Sequence, residues 1–142
     1  MQECINFPRL YSINADDIIQ CDVCMSMYII AVTTPLKSIM VEEGSTAVFT
    51  CKGIASNHEG VNVHINDGPP AMDITTWPYN GTKKGALITG YSDDTNALLR
   101  TVHISIVASM DNNGTSVRCK FYGGIDNELE TGPVYMYIPS GM

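Results

Sequence analysis

The sequence predicts an all-β fold, on the basis of its composition and of two runs that alternate in hydrophobicity. After residue 35, Thr, Val, Ile and Tyr recur in short runs that Gly, Pro, Asn and Asp interrupt, and helical periodicity is hard to find. Because successive side chains of a strand point to opposite faces, Phe49 and Cys51 share one face of the first run, and Cys119 and Phe121 share one face of the second. Each run therefore predicts a strand that turns a cysteine toward a core.

The size of the chain is that of one domain. Its 142 residues, of which 44% are hydrophobic, are sufficient for a core of ordinary size. The two inward cysteines lie 68 residues apart, which leaves room for several strands between them. A bridge between Cys51 and Cys119 would join two sheets across that core.

The strands follow in order from the alternating runs. These runs predict strands at residues 36–41, 45–53, 60–66, 71–77, 86–90, 98–107, 115–122 and 133–138. In the third of them the aliphatic residues are expected to face the core, and Asn62, His64 and Asn66 to face outward. Glycine and two prolines predict a turn at residues 67–70, and residues 78–85 are expected to form a loop.

The last predicted strand has two different faces. Val134, Met136 and Ile138 alternate with Tyr135 and Tyr137. One face of this strand is therefore expected to bury aliphatic side chains, and the other to display tyrosines.

The first 35 residues leave three alternatives open. The apolar run at residues 24–32 has about the length of a signal-peptide core, but aspartates rather than basic residues precede it, and it is too short to span a membrane. The segment is an atypical or misassembled leader, the tail of a preceding domain, or an additional strand at residues 27–33. We expect the domain proper to cover residues 36–139, with residues 140–142 as its C-terminal end.

The runs around both cysteines resemble the immunoglobulin superfamily. The pattern Glu-Gly-Ser-x-x-x-x-x-Cys that ends at Cys51 is similar to the approach to the first cysteine on strand B, and residues 113–119, NGTSVRC, are similar to strand F of many invertebrate receptor ectodomains. The resemblance covers residues 36–139, and the cysteine spacing suits a variable-type or intermediate-type domain. It implies an immunoglobulin-like Greek-key β-sandwich of two antiparallel sheets with one inter-sheet disulfide, between Cys51 and Cys119.

The chain departs from the family pattern at three positions. Strand C carries Val63 where the family usually has a tryptophan against the disulfide. Val117 replaces the tyrosine that usually lies two residues before the second cysteine, and Thr115 replaces a smaller residue. The choice between the variable and the intermediate subset therefore stays open.

Three further cysteines, Cys4, Cys21 and Cys24, lie outside the resemblance. We favour reduced thiols in a leader segment, because a zinc site needs four ligands and no second cysteine pair follows at finger spacing. A redox function of Cys21 and Cys24 is disfavoured by the aspartates beside them, since a reactive thiolate needs electropositive surroundings.

Several function classes are excluded by charge and by missing motifs. The net charge of −7, with Lys83-Lys84 as the one basic pair, repels nucleic acid more than it attracts it. The three histidines lie far from one another and from the cysteines, so we expect no metal site. Neither a Gly-x-Ser-x-Gly motif nor a glycine-rich phosphate loop occurs, so we expect neither an enzyme nor a cofactor.

Two triplets, beginning at Asn80 and at Asn113, match the acceptor pattern Asn-x-Ser/Thr for N-linked glycosylation. Plain Asn-Gly turns are an equal alternative at both positions. In a secreted protein Asn80 is the better candidate, because the predicted loop around it is expected to be exposed.

The resemblance implies an extracellular or cell-surface location, although no ordinary signal peptide is present in this chain. It implies membrane attachment only through segments that are absent from this chain. We expect a binding module of a recognition or adhesion protein, with a protein partner that is a second copy or another surface protein. Tyrosines and cations on the outer faces of the last two predicted strands, residues 115–122 and 133–138, predict its binding face. The candidate residues are Arg118, Lys120, Tyr122, Tyr135 and Tyr137. The alternative is a structural spacer of a multidomain ectodomain, without a ligand of its own.

Overall fold

The computed structural model describes residues 30–55, 60–72, 77–93, 97–123 and 127–139. Within these residues the chain forms nine strands and a short 3-10 helix, Met110–Asn112. The strands are β1 (Ala31–Thr34), β2 (Ile39–Met40), β3 (Thr46–Ile54), β4 (Val61–Ile65), β5 (Tyr79–Lys83), β6 (Ala86–Ser92), β7 (Leu99–Val107), β8 (Ser116–Gly123) and β9 (Asn127–Tyr137). No helix in this described part is long and apolar enough to cross a membrane.

The strands form two sheets. The first has the strand order β1-β3-β7-β6-β5, and the second has the order β2-β9-β8-β4. All neighbouring strands are antiparallel except β2, which runs parallel to β9. The chain changes sheets at each of the first four connections, from β1 to β5, and once more between β7 and β8. The predicted two-sheet β-sandwich is confirmed.

The core lies between the two sheets. Its largest fully buried side chains are Phe49, Phe121, Ile88, Ile104, Met136, Val61, Val63, Val102, Val117, Cys51 and Cys119. The predicted disulfide is present between Cys51 on β3 and Cys119 on β8, with the two Cα atoms 6.7 Å apart. Because the bridge closes a loop of 68 residues, it stabilises the fold by about 4 kcal/mol through the entropy of the unfolded chain.

Strand β4 is buried on both faces, which corrects one prediction. Asn62 and His64 were expected to face solvent, but their exposed fractions are 2% and 8%. Residues 66–72 fold back beside β4 and cover it, since Ala71 N donates to Val63 O at 2.8 Å. The turn that reverses the chain lies one residue earlier than predicted, because Asn66 and the following aspartate have positive φ angles of 55° and 59°. Asn66 was also expected to point outward; it is exposed, and its Oδ1 atom accepts a hydrogen bond from Ser116 N at 2.9 Å.

Strand β5 lies where a loop over residues 78–85 was expected. It forms a hairpin with β6, and Lys83 and Ala86 are the pair that flanks the turn. The two turn residues, Lys84 and Gly85, have φ angles of 53° and 78°, as the tight turn of a two-residue hairpin requires. A further strand was predicted at residues 71–77. Residues 71, 72 and 77 do not belong to a strand, and residues 73–76 lie outside the described residues.

Strand β9 begins six residues before its predicted start at residue 133. The strand continues through a bulge at Gly132-Pro133, where the register on β8 shifts between Val117 and Cys119. Gly132 has a φ angle of 100°, and a Cβ atom at this position would lie 2.6 Å from Val117 O. Only glycine fits both restrictions, so the bulge depends on this residue.

The N-terminal part of the described chain contributes β1, which pairs with the end of β3 through Ala31 opposite Ile54. Of the first 35 residues, for which a leader, the tail of a preceding domain and an additional strand were the alternatives, residues 1–29 lie outside the described residues. Cys4, Cys21 and Cys24 lie there too, as do residues 140–142 of the expected C-terminal end.

The single tryptophan of the chain packs at the edge of the core, rather than at the strand C position taken by Val63. The Trp77 ring covers Gly90, where a Cβ atom would lie 2.6 Å from a ring carbon. The Arg100 guanidinium stacks over the same ring at 4.6 Å from its centroid. Burial desolvates this guanidinium and lowers the pKa of Arg100. The tryptophan therefore packs over Gly90 of β6, against the core.

Candidate protein-binding face

The predicted binding residues lie on the outward surface of the second sheet, which we call the outer face. Alternate residues of β8 are fully buried, so the intervening Arg118, Lys120 and Tyr122 point outward and are half-buried. On β9, burial of the residue between Tyr135 and Tyr137 places both tyrosines on the same side. All five predicted side chains therefore project from one sheet.

An exposed cluster of large side chains occupies one end of the outer face. Tyr135 and Tyr137 are 37% and 45% exposed, and their ring centroids lie 5.9 Å apart with an interplanar angle of 32°. Met40 lies opposite Tyr137 in the parallel register of β2 and β9, and is 68% exposed. We call Met40, Tyr135 and Tyr137 the tyrosine patch. Met40 was not among the predicted binding residues, although its alternation with Ile39 in the predicted strand at residues 36–41 places it outward.

Charged side chains occupy the other end of the outer face. Arg118 lies 2.9 Å from Glu130 and 3.5 Å from Asp67, and Lys120 lies 3.7 Å from Glu128. We call these five residues the charged strip. Both predicted cations therefore have carboxylate partners within the sheet itself. The three acids were missed, because β9 was expected to start after both glutamates and the turn after β4 was assigned no binding role.

The bulge in β9 separates the two regions. On one side of it Tyr135 lies opposite Ser116, and on the other Glu130 lies opposite Lys120. The bulge itself lies beside Arg118, where the register shifts. The outer face therefore has an uncharged aromatic end and an ion-paired end.

Tyr122 is not part of the tyrosine patch. It lies opposite Glu128, at the charged end of the outer face. Its position on β8 is six residues beyond Ser116, the residue opposite Tyr135, which is about 20 Å along a strand. Of the three predicted tyrosines, the structure thus brings together only Tyr135 and Tyr137.

The outer face does not extend over β4. Asn62 binds both backbone groups of Met72, with its Oδ1 atom 3.0 Å from Met72 N and its Nδ2 atom 3.3 Å from Met72 O. His64 Nδ1 lies 3.0 Å from Gly68 O. The segment held by these contacts also carries Asp67, so it supplies one carboxylate of the charged strip.

The described residues offer no metal site, since no three of their His, Cys, Asp and Glu side chains cluster in a way that could hold an ion. His103 lies on the first sheet, on the surface opposite to the outer face. Its Nδ1 atom is 2.8 Å from Thr50 Oγ1, and its Nε2 atom is 3.1 Å from the Tyr91 hydroxyl. Both ring nitrogens are thus engaged with uncharged hydroxyl groups.

The two glycosylation triplets differ in their surroundings. Asn80 and Thr82 lie on the edge strand β5, and both are exposed. Asn113 accepts a hydrogen bond from Ile138 N through its Oδ1 atom at 2.9 Å. The hydroxyl of Thr115, a buried residue, donates to Asn112 O at 2.6 Å. The side chains of the second triplet therefore hold the turn before β8 in place.

No family model matches the sequence, and no curated protein is significantly similar to it. Solved structures are similar in fold. The titin domains Z1Z2 in complex with telethonin match with a TM-score of 0.51 at 21% identity, over 78% of this chain and 47% of that one. The Ig1-2 module of the Drosophila receptor protein tyrosine phosphatase DLAR matches with a TM-score of 0.53 at 13% identity, over 79% of this chain and 50% of that one. The eight N-terminal Ig domains of the Down syndrome cell adhesion molecule match with a TM-score of 0.52 at 10% identity, over 78% of this chain and 14% of that one.

The chain spans about half the length of the titin and DLAR structures, which contain two domains each. At these levels of identity the similarity shows the fold and leaves activity and partners undetermined. The two-sheet β-sandwich, the Cys51–Cys119 bridge between its sheets and these similarities together show that the chain is an immunoglobulin-like domain in fold. It resembles domains of titin and of receptor and adhesion proteins.

Proposed function

We propose that this chain is an extracellular recognition module that binds a protein through the outer face. The observation that carries the proposal is the tyrosine patch, in which two exposed tyrosines and an exposed methionine lie side by side on neighbouring strands. Tyrosine and methionine are enriched at protein interfaces, where an aromatic ring supplies a large contact area and a hydroxyl group. Immunoglobulin-like domains are typically non-catalytic, and we propose no reaction for this one.

The charged strip would form the rim of the interface. Arg118 and Lys120 are already paired with carboxylates, so a partner has to compete with these ion pairs for either cation. Exposed ion pairs contribute only about 0–1 kcal/mol each. We therefore assign most of the binding energy to the tyrosine patch, and orientation of the partner to the charged strip.

The extracellular location is supported by the disulfide, because such bonds form and persist in oxidising compartments. The structural similarity to a receptor phosphatase and to a cell adhesion molecule is compatible with this location. The titin match contains telethonin, so an immunoglobulin-like domain of similar fold occurs in a complex with a protein. The partner proposed for this chain is a second copy or another surface protein.

The proposal is tested by replacing both tyrosines of the patch. The domain is displayed in many copies on beads, and capture of cells and of beads that carry the same domain is measured. Tyr135→Ala combined with Tyr137→Ala should lower capture at least tenfold, because two interface tyrosines together contribute several kcal/mol at a binding hot spot. Tyr91→Ala is the matched control, since Tyr91 is comparably exposed but lies on the opposite surface of the sandwich.

Melting curves establish first that the double variant and Tyr91→Ala are folded. The capture assay then distinguishes a binding module from a structural spacer. Equal losses in the double variant and in Tyr91→Ala would contradict a specific role of the tyrosine patch. Unchanged capture by the double variant would move the binding site to the loops. If the unmodified domain captures neither cells nor its own copies, the spacer alternative is favoured.

A further inference from the structure

The surface opposite to the outer face is almost free of charge. It is formed by the outward residues of β3, β5, β6 and β7 in the first sheet. Its members are Thr46, Val48, Thr50, Lys52, Ile54, Asn80, Thr82, Leu87, Thr89, Tyr91, Leu99, Thr101, His103, Ser105 and Val107. Lys52 is the only Lys, Arg, Asp or Glu among them, although 16% of the whole chain is charged. Val48, Leu87, Tyr91 and Val107 are exposed large hydrophobic side chains on this surface.

Asn80 lies at the margin of this surface, beside two of its exposed hydrophobic residues. Its direct partner across the β5–β6 ladder is Thr89. Leu87 and Tyr91, two residues to either side of Thr89, are therefore the diagonal neighbours of Asn80 and share its side of the sheet. Diagonal neighbours lie about 7–8 Å apart, within reach of a group attached to the asparagine.

We propose that Asn80 carries an N-linked glycan, and that the first sugar residues of this glycan pack on Leu87 and Tyr91. In the attachment step, Nδ2 of Asn80 forms a bond to the anomeric carbon of a lipid-linked diphospho-oligosaccharide. The bond from that carbon to the lipid diphosphate breaks, the diphosphate leaves with the bonding electron pair, and Nδ2 gives up one proton. This inference rests on the proposed function in one respect, namely passage through the secretory pathway.

The assignment to Asn80 follows from the contrast with the second triplet. Asn80 and Thr82 are exposed on an edge strand. Asn113 and Thr115 instead bind the backbone of Ile138 and Asn112. We therefore assign the glycan to the first triplet, and a structural role to the second.

A glycan at Asn80 would change which surfaces of the domain a partner can reach. Among the strands of the described residues, β5 lies at the edge of its sheet, where backbone groups can pair with another strand, and natural proteins cover or block such edges. A glycan would block this edge and shield the adjoining hydrophobic surface. The tyrosine patch, on the opposite side of the sandwich, would stay accessible to a protein.

The site is tested by producing the domain in eukaryotic cells with an added signal sequence and measuring its mass before and after enzymatic deglycosylation. The unmodified domain and Asn113→Gln should lose the mass of a glycan on deglycosylation. Thr82→Ser, which preserves the acceptor pattern, should do the same. Asn80→Gln and Thr82→Ala should be secreted without that glycan. Secretion of the unmodified domain without a glycan, or a glycan mass that Thr82→Ala leaves unchanged, overturns the assignment.

Packing of the sugars is tested separately by melting curves. The glycosylated domain should melt about 3 °C above Thr82→Ala, if the sugar contacts add a stabilisation comparable to one aromatic contact. The same comparison is made in proteins that also carry Tyr91→Ser. There, the difference in melting temperature between the glycosylated protein and its Thr82→Ala counterpart should be less than half of that found with Tyr91 present. A difference of the same size in both backgrounds overturns the proposed packing. Because the signal sequence is supplied, these results do not depend on whether the tyrosine patch binds a partner.

Discussion

Replacement of Asn62 by alanine is the most direct test of how the outer face is built. The Oδ1 atom of Asn62 accepts hydrogen bonds from Val63 N at 2.8 Å and from Met72 N at 3.0 Å, and its Nδ2 atom donates to Met72 O at 3.3 Å. The side chain is only 2% exposed. In the Asn62→Ala variant, two backbone N–H groups and one carbonyl therefore lose their partner in a place that water reaches poorly.

The expected destabilisation follows from these three groups. A buried backbone group left without a partner costs about 1–3 kcal/mol. Since β4 is at the edge of its sheet, part of the cost is relieved by movement of residues 66–72 toward solvent. We expect a net loss of about 2–4 kcal/mol in the free energy of unfolding, which corresponds to a fall of roughly 10 °C in the melting temperature.

The measurement is urea denaturation followed by fluorescence, because Trp77 is the single tryptophan and lies against the core. Asn80→Ala, measured in protein made without glycosylation, is the matched control. This asparagine is exposed on an edge strand, so its replacement should change stability by less than about 0.5 kcal/mol. Hydrogen exchange of the Met72 amide gives a local measurement and should accelerate in Asn62→Ala. A destabilisation below about 1 kcal/mol, with unchanged exchange at Met72, would refute the argument that Asn62 holds this segment against β4.

Two further predictions concern the core. Replacing Cys51 and Cys119 together by alanine should lower the free energy of unfolding by about 4 kcal/mol or more, measured by urea denaturation against the oxidised domain; a loss below about 1 kcal/mol would show that the bridge contributes little. Gly90→Ala places a methyl group 2.6 Å from a ring carbon of Trp77. It should therefore lower the free energy of unfolding by about 1–3 kcal/mol and shift the tryptophan emission. An unchanged spectrum and an unchanged stability would contradict the close packing of this ring.

The sequence by itself determined the strand phases and the disulfide. Side chains alternate strictly along a strand, so the inward positions of Cys51 and Cys119, and the outward positions of Tyr135 and Tyr137, follow from local pattern alone. The resemblance around the two cysteines added the arrangement of the strands into two sheets. The strand phases depend on residues close together in the chain, and the disulfide depends on a single pair of cysteines. For that reason they could be predicted.

Only the tertiary structure decided which outward side chains are exposed and which charges are paired. Asn62 and His64 have the outward phase that was predicted, but residues 66–72 cover them, and no local pattern in β4 reveals this cover. Arg118 and Lys120 point outward as expected, yet their carboxylate partners lie on β9 and in the turn after β4. Burial and ion pairing depend on which distant segments lie side by side. In a β-sandwich that neighbourhood is set by strand pairing across the fold, because the pairing brings together residues that the linear sequence keeps far apart.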